Sequence, residues 1–155
     1  MTGISFGNLL IKQVVAELSA ELPNVDTFVT LSPIPKLAAW MQDQGHDLGD
    51  LLPVQRRATA AHYLLHAKRS DGLPVDPVAR FHLGNGAEIH GLHAAADSSE
   101  RGHAQSGGVM VNYLYDLSKT ERHHEEFAEQ GKIAATRQIK ALGNEGTLPF
   151  AAAAE

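Results

Sequence analysis

The first recurring pattern of apolar positions follows three- and four-residue steps near the start of the chain, at Ile11, Val14, Val15, Leu18 and Leu22. This spacing predicts an amphipathic helix, because it places all five side chains on one helical face. Asn8 is a candidate N-cap for this helix. Pro23 is expected to end it.

Two further helical patterns lie in the middle of the chain. Residues 51–68 predict a helix with Pro53 in its first turn, and its buried stripe is expected to comprise Ala58, Ala61, Leu64 and Leu65. Asp76 is expected to cap a short helix that carries His82 near its end, just before a sharp turn at Asn85 and Gly86.

The segments that predict β-strands are shorter than those that predict helices. β-Branched and aromatic residues at 27–31 predict a short buried strand that ends at Ser32. Residues 87–95 and 108–115 alternate in polarity, and the short connection between them predicts antiparallel pairing. Residues 118–121 match a capping box at the start of an acidic helix. A last apolar face is expected at Ile133, Ile139 and Leu142.

Composition narrows the class of protein. The 155 residues suit one domain, which we expect to span residues 1–145 with a flexible tail at 146–155. The net charge of -5, with dispersed Lys and Arg, argues against a nucleic-acid surface. There is no Cys for disulfides or thiolate ligands, and no apolar run reaches the roughly 18 residues of a membrane helix. We expect a soluble, cytoplasmic protein.

Two segments fifty positions apart carry the candidate chemistry. Ser32 is followed by Pro33 and Pro35, which hold the turn rigid. It either caps the next helix, at residues 36–41, as the spacing alone favours, or presents a reactive hydroxyl. His82 is either a partly buried structural histidine or an imidazole held for catalysis.

Two other features permit a ligand. The glycine segment at residues 3–8 opens the first helix, and a helix N-terminus can hold a phosphate, although such glycines also serve simple turns. His62 and His66 are four residues apart, as metal ligands on a helix can be. Neither an adjacent Glu nor a Cys completes the set, so no metal site is predicted.

Several of these motifs together resemble the catalytic domain of the malonyl-CoA decarboxylase family. The similarity runs from about Gly3 to Leu142 and rests on the order of the motifs at residues 3–12, 31–35, 76–87 and 110–115. It implies an α/β (α+β) fold: a partial, GNAT acetyltransferase-like mixed sheet flanked by helices and lacking the N-terminal strands. It also implies a lyase of fatty-acid metabolism that converts malonyl-CoA to acetyl-CoA and carbon dioxide.

The resemblance also assigns residues. Ser32 and His82 would be the catalytic pair. Our own hypothesis, from the chemistry of the reaction, is that Ser32 orients or relays a proton from the malonyl group while His82, with a near-neutral pKa, acts as the proton donor. Coenzyme A contacts would come from Ser32, His82, Tyr115 and the segment of Thr2, Gly3, Ile4, Ser5, Phe6, Gly7 and Asn8. No metal and no cofactor beyond the coenzyme A thioester substrate is implied.

Family members carry strands and a helical oligomerisation domain ahead of the glycine segment, with which this sequence begins. We therefore expect a C-terminal piece that works as a homo-oligomer or with a complementing N-terminal chain, with its sheet edge left open. The alternatives are an acyl-CoA-binding or acetyltransferase-like module, which the glycine segment alone permits, and a non-catalytic remnant that folds only with a partner.

Overall fold

The computed structural model of the protein describes residues 6–144, and for residues 6–10 it describes the backbone alone. The described helices, in chain order, are α1 (Phe6–Glu21), α2 (Leu37–Asp43), α3 (Pro53–His66), α4 (Pro77–Gly84), α5 (Glu100–Ser106), α6 (Thr120–Gln130) and α7 (Arg137–Leu142). The strands are β1 (Phe28–Val29), β2 (Glu88–His93) and β3 (Met110–Tyr115), and a short 3-10 helix spans Leu48–Asp50. The α+β class predicted from the sequence is confirmed.

The described strands form one sheet in the order β1-β3-β2, and both strand pairs are antiparallel. The pairing of β2 with β3 confirms the prediction, but their connection contains α5, which no sequence pattern had predicted. Among residues 6–144, the one parallel pairing is an isolated bridge between Ile89 and Ala135. The described sheet is thus antiparallel with a single parallel bridge, whereas a mixed sheet was expected.

The first strand differs most from its prediction. Only Phe28 and Val29 pair as β1, at an edge of the sheet, and the isolated bridge of Ser32 with Val111 extends the contact. Val29 and Leu31 are 51% and 57% exposed, so the prediction of a buried strand is wrong. An apolar, β-branched run matches an edge strand as well as a central one, because composition does not report which neighbours cover it.

The long middle helix follows its sequence signals. Pro53 occupies the first turn of α3, where its missing N–H is not needed. Ala58, Ala61 and Leu64 are buried as predicted, and Leu65 packs against the core from a partly buried position. This helix contacts β2 and α7, and Ile139 of α7 is buried with Ile133 in the same core.

Helix caps were predicted less well. Asp76 caps α4 as expected, accepting a hydrogen bond from the Ala79 N–H at 2.9 Å. Asn8 is not an N-cap, since α1 already begins at Phe6. The predicted capping box at residues 118–121 does not form: Lys119 is the N-cap of α6 and makes no side-chain cap, while Ser118 bonds to Asp116 instead.

Two other expectations concern membrane-spanning helices and the two ends of the chain. Within residues 6–144, no helix combines the length and apolar character that crossing a membrane would require. The predicted tail at residues 146–155 and the glycine-segment residues Thr2, Gly3, Ile4 and Ser5 lie outside the described part of the chain.

Candidate functional site

Ser32 and His82, fifty positions apart in sequence, lie next to each other in the fold. The Ser32 Oγ is 3.4 Å from the His82 Nε2, and the two residues are only 5% and 8% exposed. This distance is at the long end of the hydrogen-bond range, as is common for catalytic groups before substrate binds. The spatial pairing on which the predicted site depends is therefore present.

The backbone around Ser32 holds its hydroxyl toward the histidine. Its N–H donates to the Val111 carbonyl at 2.8 Å and its carbonyl accepts from the Val111 N–H at 3.0 Å. The N-cap of α2 is Lys36, without a side-chain cap, so Ser32 does not serve the capping role that spacing alone favoured. The hydroxyl instead bonds to Thr30 Oγ1 at 2.8 Å.

His82 is fixed by contacts on both of its ring nitrogens and on one ring face. The Tyr115 hydroxyl lies 2.6 Å from the imidazole Nδ1, on the opposite side from Ser32. The Tyr113 ring stacks on the imidazole with a centroid distance of 4.6 Å and an interplanar angle of 20°. These contacts leave the imidazole little freedom to rotate.

Burial sets the protonation of this cluster. It lowers the pKa of His82 to about 4, so the imidazole is neutral near neutral pH. The expectation of a near-neutral pKa is therefore wrong, because a sequence gives no measure of how completely the ring is desolvated. Burial also raises the pKa of Tyr115 to about 12, which keeps the phenol protonated.

A neutral imidazole carries one N–H, so it donates in one of its two contacts and accepts in the other. If the Tyr115 O–H donates to Nδ1, the ring proton is on Nε2 and is directed at Ser32. The arrangement can then present a neutral N–H donor and a hydroxyl to a substrate oxygen.

An apolar cavity of about 310 Å³ lies near the pair, although neither Ser32 nor His82 lines it. Its walls come from α1 and β1, and it is also lined by Thr30 and Tyr115. Because Thr30 bonds to Ser32 and Tyr115 bonds to His82, a molecule in this cavity lies one side chain away from either member of the pair. The predicted site residue Tyr115 thus connects the cavity with the histidine.

Thr30, Tyr113 and Asn112 also contribute, and the sequence analysis assigned none of them a role. Thr30 and Tyr113 stand two positions before Ser32 and Tyr115, so the strand period of two could have placed them on the same face. The Asn112 amide donates to the Thr30 carbonyl at 2.8 Å, which ties β3 to the segment that carries Ser32.

The remaining candidate ligands do not join this site. The His62 and His66 rings lie 4.8 Å apart on α3, and His62 Nδ1 is 3.2 Å from the Gly143 carbonyl oxygen. Among the described residues, no group of three or more His, Asp or Glu side chains is arranged to hold a metal ion.

Comparison with known proteins gives a consistent result. The crystal structure of a malonyl-CoA decarboxylase from Rhodopseudomonas palustris is 43% identical, with a TM-score of 0.79, over 90% of this chain and 41% of that one. The enzyme from Agrobacterium vitis is 41% identical, with a TM-score of 0.81, over 92% of this chain and 42% of that one. The mitochondrial malonyl-CoA decarboxylase of Mus musculus is 30% identical over 92% of this chain and 38% of its own length.

The chain thus spans well under half the length of these relatives. The sequence model of the malonyl-CoA decarboxylase C-terminal domain matches it in two overlapping segments, residues 1–58 and 46–152. Together these segments cover nearly all of the chain, which therefore belongs to the malonyl-CoA decarboxylase C-terminal domain family.

Proposed function

We propose that this chain is the part of a malonyl-CoA decarboxylase that supplies its catalytic serine and histidine, converting malonyl-CoA to acetyl-CoA and carbon dioxide. The observation that carries the proposal is the buried contact of 3.4 Å between Ser32 Oγ and His82 Nε2 beside an apolar cavity. The names of the relatives supply the substrate.

The reaction requires charge stabilisation before proton transfer. When the bond between the carboxylate carbon and the α-carbon breaks, its electron pair moves into the thioester and forms an enolate while carbon dioxide leaves. A preorganised donor aimed at such an oxyanion is worth about 2.7–4 kcal/mol. The Nε2–H of His82 and the Ser32 hydroxyl are the proposed donors to the thioester oxygen.

The α-carbon must then take up one proton to give acetyl-CoA. A thioester enolate is basic enough to accept it from a neutral donor, so the pKa of about 4 for His82 does not prevent this step. We assign the transfer to His82, with Ser32 relaying or orienting the proton. Solvent restores the proton, and the proposed steps use no metal or organic cofactor.

Tyr115 and Thr30 line the apolar cavity and hydrogen-bond to the pair, so this cavity is the proposed place for the part of the substrate next to the reacting thioester, whose oxygen would contact Ser32 and His82. Coenzyme A contacts from the segment at residues 2–8 remain part of the proposal. The GNAT-like fold, the role in fatty-acid metabolism, the cytoplasmic location and a homo-oligomer or complementing N-terminal chain are proposed as well. The mouse relative is named as a mitochondrial enzyme, whereas the location proposed for this chain is the cytoplasm.

The proposed function is tested by measuring turnover of malonyl-CoA. The purified chain is incubated with malonyl-CoA, with and without a polypeptide corresponding to the remaining N-terminal part of a relative, and acetyl-CoA and carbon dioxide are measured. Release of both products in equal amounts supports the proposal. Coenzyme A binding without product, in the complemented sample, would instead indicate an acyl-CoA-binding module.

A further inference from the structure

A second cavity, with a volume of about 430 Å³, lies on a different part of the molecule. Its walls come from α6, the segment that follows α6, β2 and α7. Lys119 lines it from the N-cap of α6, Arg122 from α6 itself, Lys132 from the following segment and Lys140 from α7. Three separate parts of the chain therefore bring positive charge to one space.

The local charge is opposite to that of the whole chain. The protein has 13 Lys and Arg against 18 Asp and Glu, yet this cavity has four cationic side chains and only two carboxylates, Glu88 and Glu126. Counting only the Lys, Arg and Glu side chains, the lining carries a net charge of about two positive units. An anion gains attraction here that the rest of the surface does not offer.

The existing ion pairs leave these cationic side chains able to bind an anion. Glu126 is shared between Arg122, at 3.8 Å, and Lys132, at 3.3 Å. Lys119 lies 4.0 Å from Asp116, with both side chains well exposed. Exposed pairs of this kind contribute little, so a stronger anion can replace them. Lys140 makes no ion pair with any residue from 6 to 144.

We propose that this cavity, formed around Lys119, Arg122, Lys132 and Lys140, binds a small multivalent oxyanion such as a diphosphate. A single negative charge could engage only part of the cation set, whereas two adjacent phosphoryl groups can reach cations on several walls. The Arg122 guanidinium presents the forked geometry that matches phosphate oxygens, and the lysines add point charges.

The cavity is distinct from the Ser32–His82 pair but is connected to the helix that carries the histidine. The Nδ1 of His123, which also lines the cavity, lies 3.3 Å from the Gly86 carbonyl oxygen. The His124 Nδ1 lies 2.5 Å from the Gly84 carbonyl oxygen at the end of α4. An anion in this cavity therefore contacts α6, which is in turn held against the end of α4 and the turn that follows His82, and this arrangement does not depend on the proposed decarboxylase function.

The experiment uses inorganic pyrophosphate as the probe. Its binding to the full chain is measured by calorimetry at low salt, for the parent, for Lys132→Gln with Lys140→Gln, and for a control with Arg69→Gln and Arg101→Gln. The control removes the same charge from two positions outside the cavity. We expect saturable binding to the parent and the control, and at least tenfold weaker binding to the cavity variant, equivalent to about 1.4 kcal/mol.

Two results would overturn the inference. One is equal pyrophosphate affinity in all three proteins, which would place the anion elsewhere, such as at the glycine segment. The other is no saturable binding to the parent. Circular dichroism melting of each variant confirms that folding is retained, and Lys140→Gln alone offers a second variant that breaks no ion pair of the described residues.

Discussion

The hydroxyl of Tyr115 lies 2.6 Å from the Nδ1 of His82, on the far side of the imidazole from Ser32. If the Tyr115 O–H donates to this nitrogen, the neutral imidazole carries its proton on Nε2 and presents it toward Ser32. This relationship makes Tyr115 a positioning residue in the proposed site as well as part of the cavity wall.

Tyr115→Phe is therefore expected to lower decarboxylation at least tenfold, because the Nδ1 loses its donor and the ring proton is no longer held on Nε2. It also leaves a buried nitrogen unpaired, which costs about 1–3 kcal/mol of stability. Turnover of malonyl-CoA and urea unfolding at pH 7 measure the two effects.

Tyr113→Phe is the matched control for this variant. The Tyr113 ring stacks on His82, but its hydroxyl has no hydrogen-bond partner within the described residues. Removing that hydroxyl keeps the stacking, so we expect a stability change below about 1 kcal/mol and nearly unchanged turnover. Equal losses in Tyr113→Phe and Tyr115→Phe would exclude a specific role for the Tyr115 hydroxyl.

The low pKa of His82 predicts acid destabilisation. The imidazole titrates near 6.5 when unfolded and near 4 when folded, so between these values only the unfolded chain binds the proton. Its contribution to stability is complete above pH 6.5 and is lost as the pH falls toward 4, by about 3 kcal/mol in total. Urea unfolding from pH 7 to pH 4 measures this loss.

His82→Gln provides the comparison, since it keeps every other titrating group. The parent is expected to lose more stability than the variant over this pH range, and the difference belongs to His82. Parallel pH dependence in the two proteins would mean that the imidazole is not desolvated as the structure indicates.

Asp76 is predicted to anchor α4, the helix that carries His82. It is 1% exposed and accepts the Ala79 N–H at 2.9 Å. Asp76→Ala is expected to cost about 1–2 kcal/mol in the free energy of unfolding. Asp47→Ala removes a similar but exposed cap, on Gly49, and is expected to cost less. An equal loss of stability in the two variants would contradict the prediction that the buried Asp76 cap contributes more than the exposed Asp47 cap.

Gly86 is predicted to be required for the contact of α4 with α6. Its φ is +88°, and a Cβ there would lie 2.1 Å from the Thr120 carbonyl oxygen. Gly86→Ala adds this clash to the cost of a positive φ, which is about 1–3 kcal/mol. Gly45→Ala carries only the second cost, because φ is +82° and a Cβ would meet nothing within 4 Å. Thermal melting should therefore show the larger loss for Gly86→Ala.

Much of the helical framework follows from local signals. Pro53 and a regular apolar stripe predicted α3, and Asp76 as a cap predicted the start of α4, because caps and periodicity act within a few residues. Asn8 and Ser118 matched cap patterns without serving as caps, since a cap depends on where the backbone actually enters the helix.

Part of the candidate site, the pair of Ser32 and His82, could also be predicted from the sequence. Ser32 and His82 were singled out by their rigid or turning backbone and by family resemblance, and the fold brings them together. The pKa of His82 and the exposure of β1 could not be predicted, because both depend on what the rest of the chain packs against them.

The most direct test of the account compares malonyl-CoA turnover in Ser32→Ala, His82→Ala and the double variant, in the preparation that gives activity to the parent. Two groups that act as a unit lose function non-additively, so the double variant should be about as inactive as the worse single variant. Its rate should lie several orders of magnitude below the parent. Parent-level turnover in either single variant, with folding intact, would contradict the account.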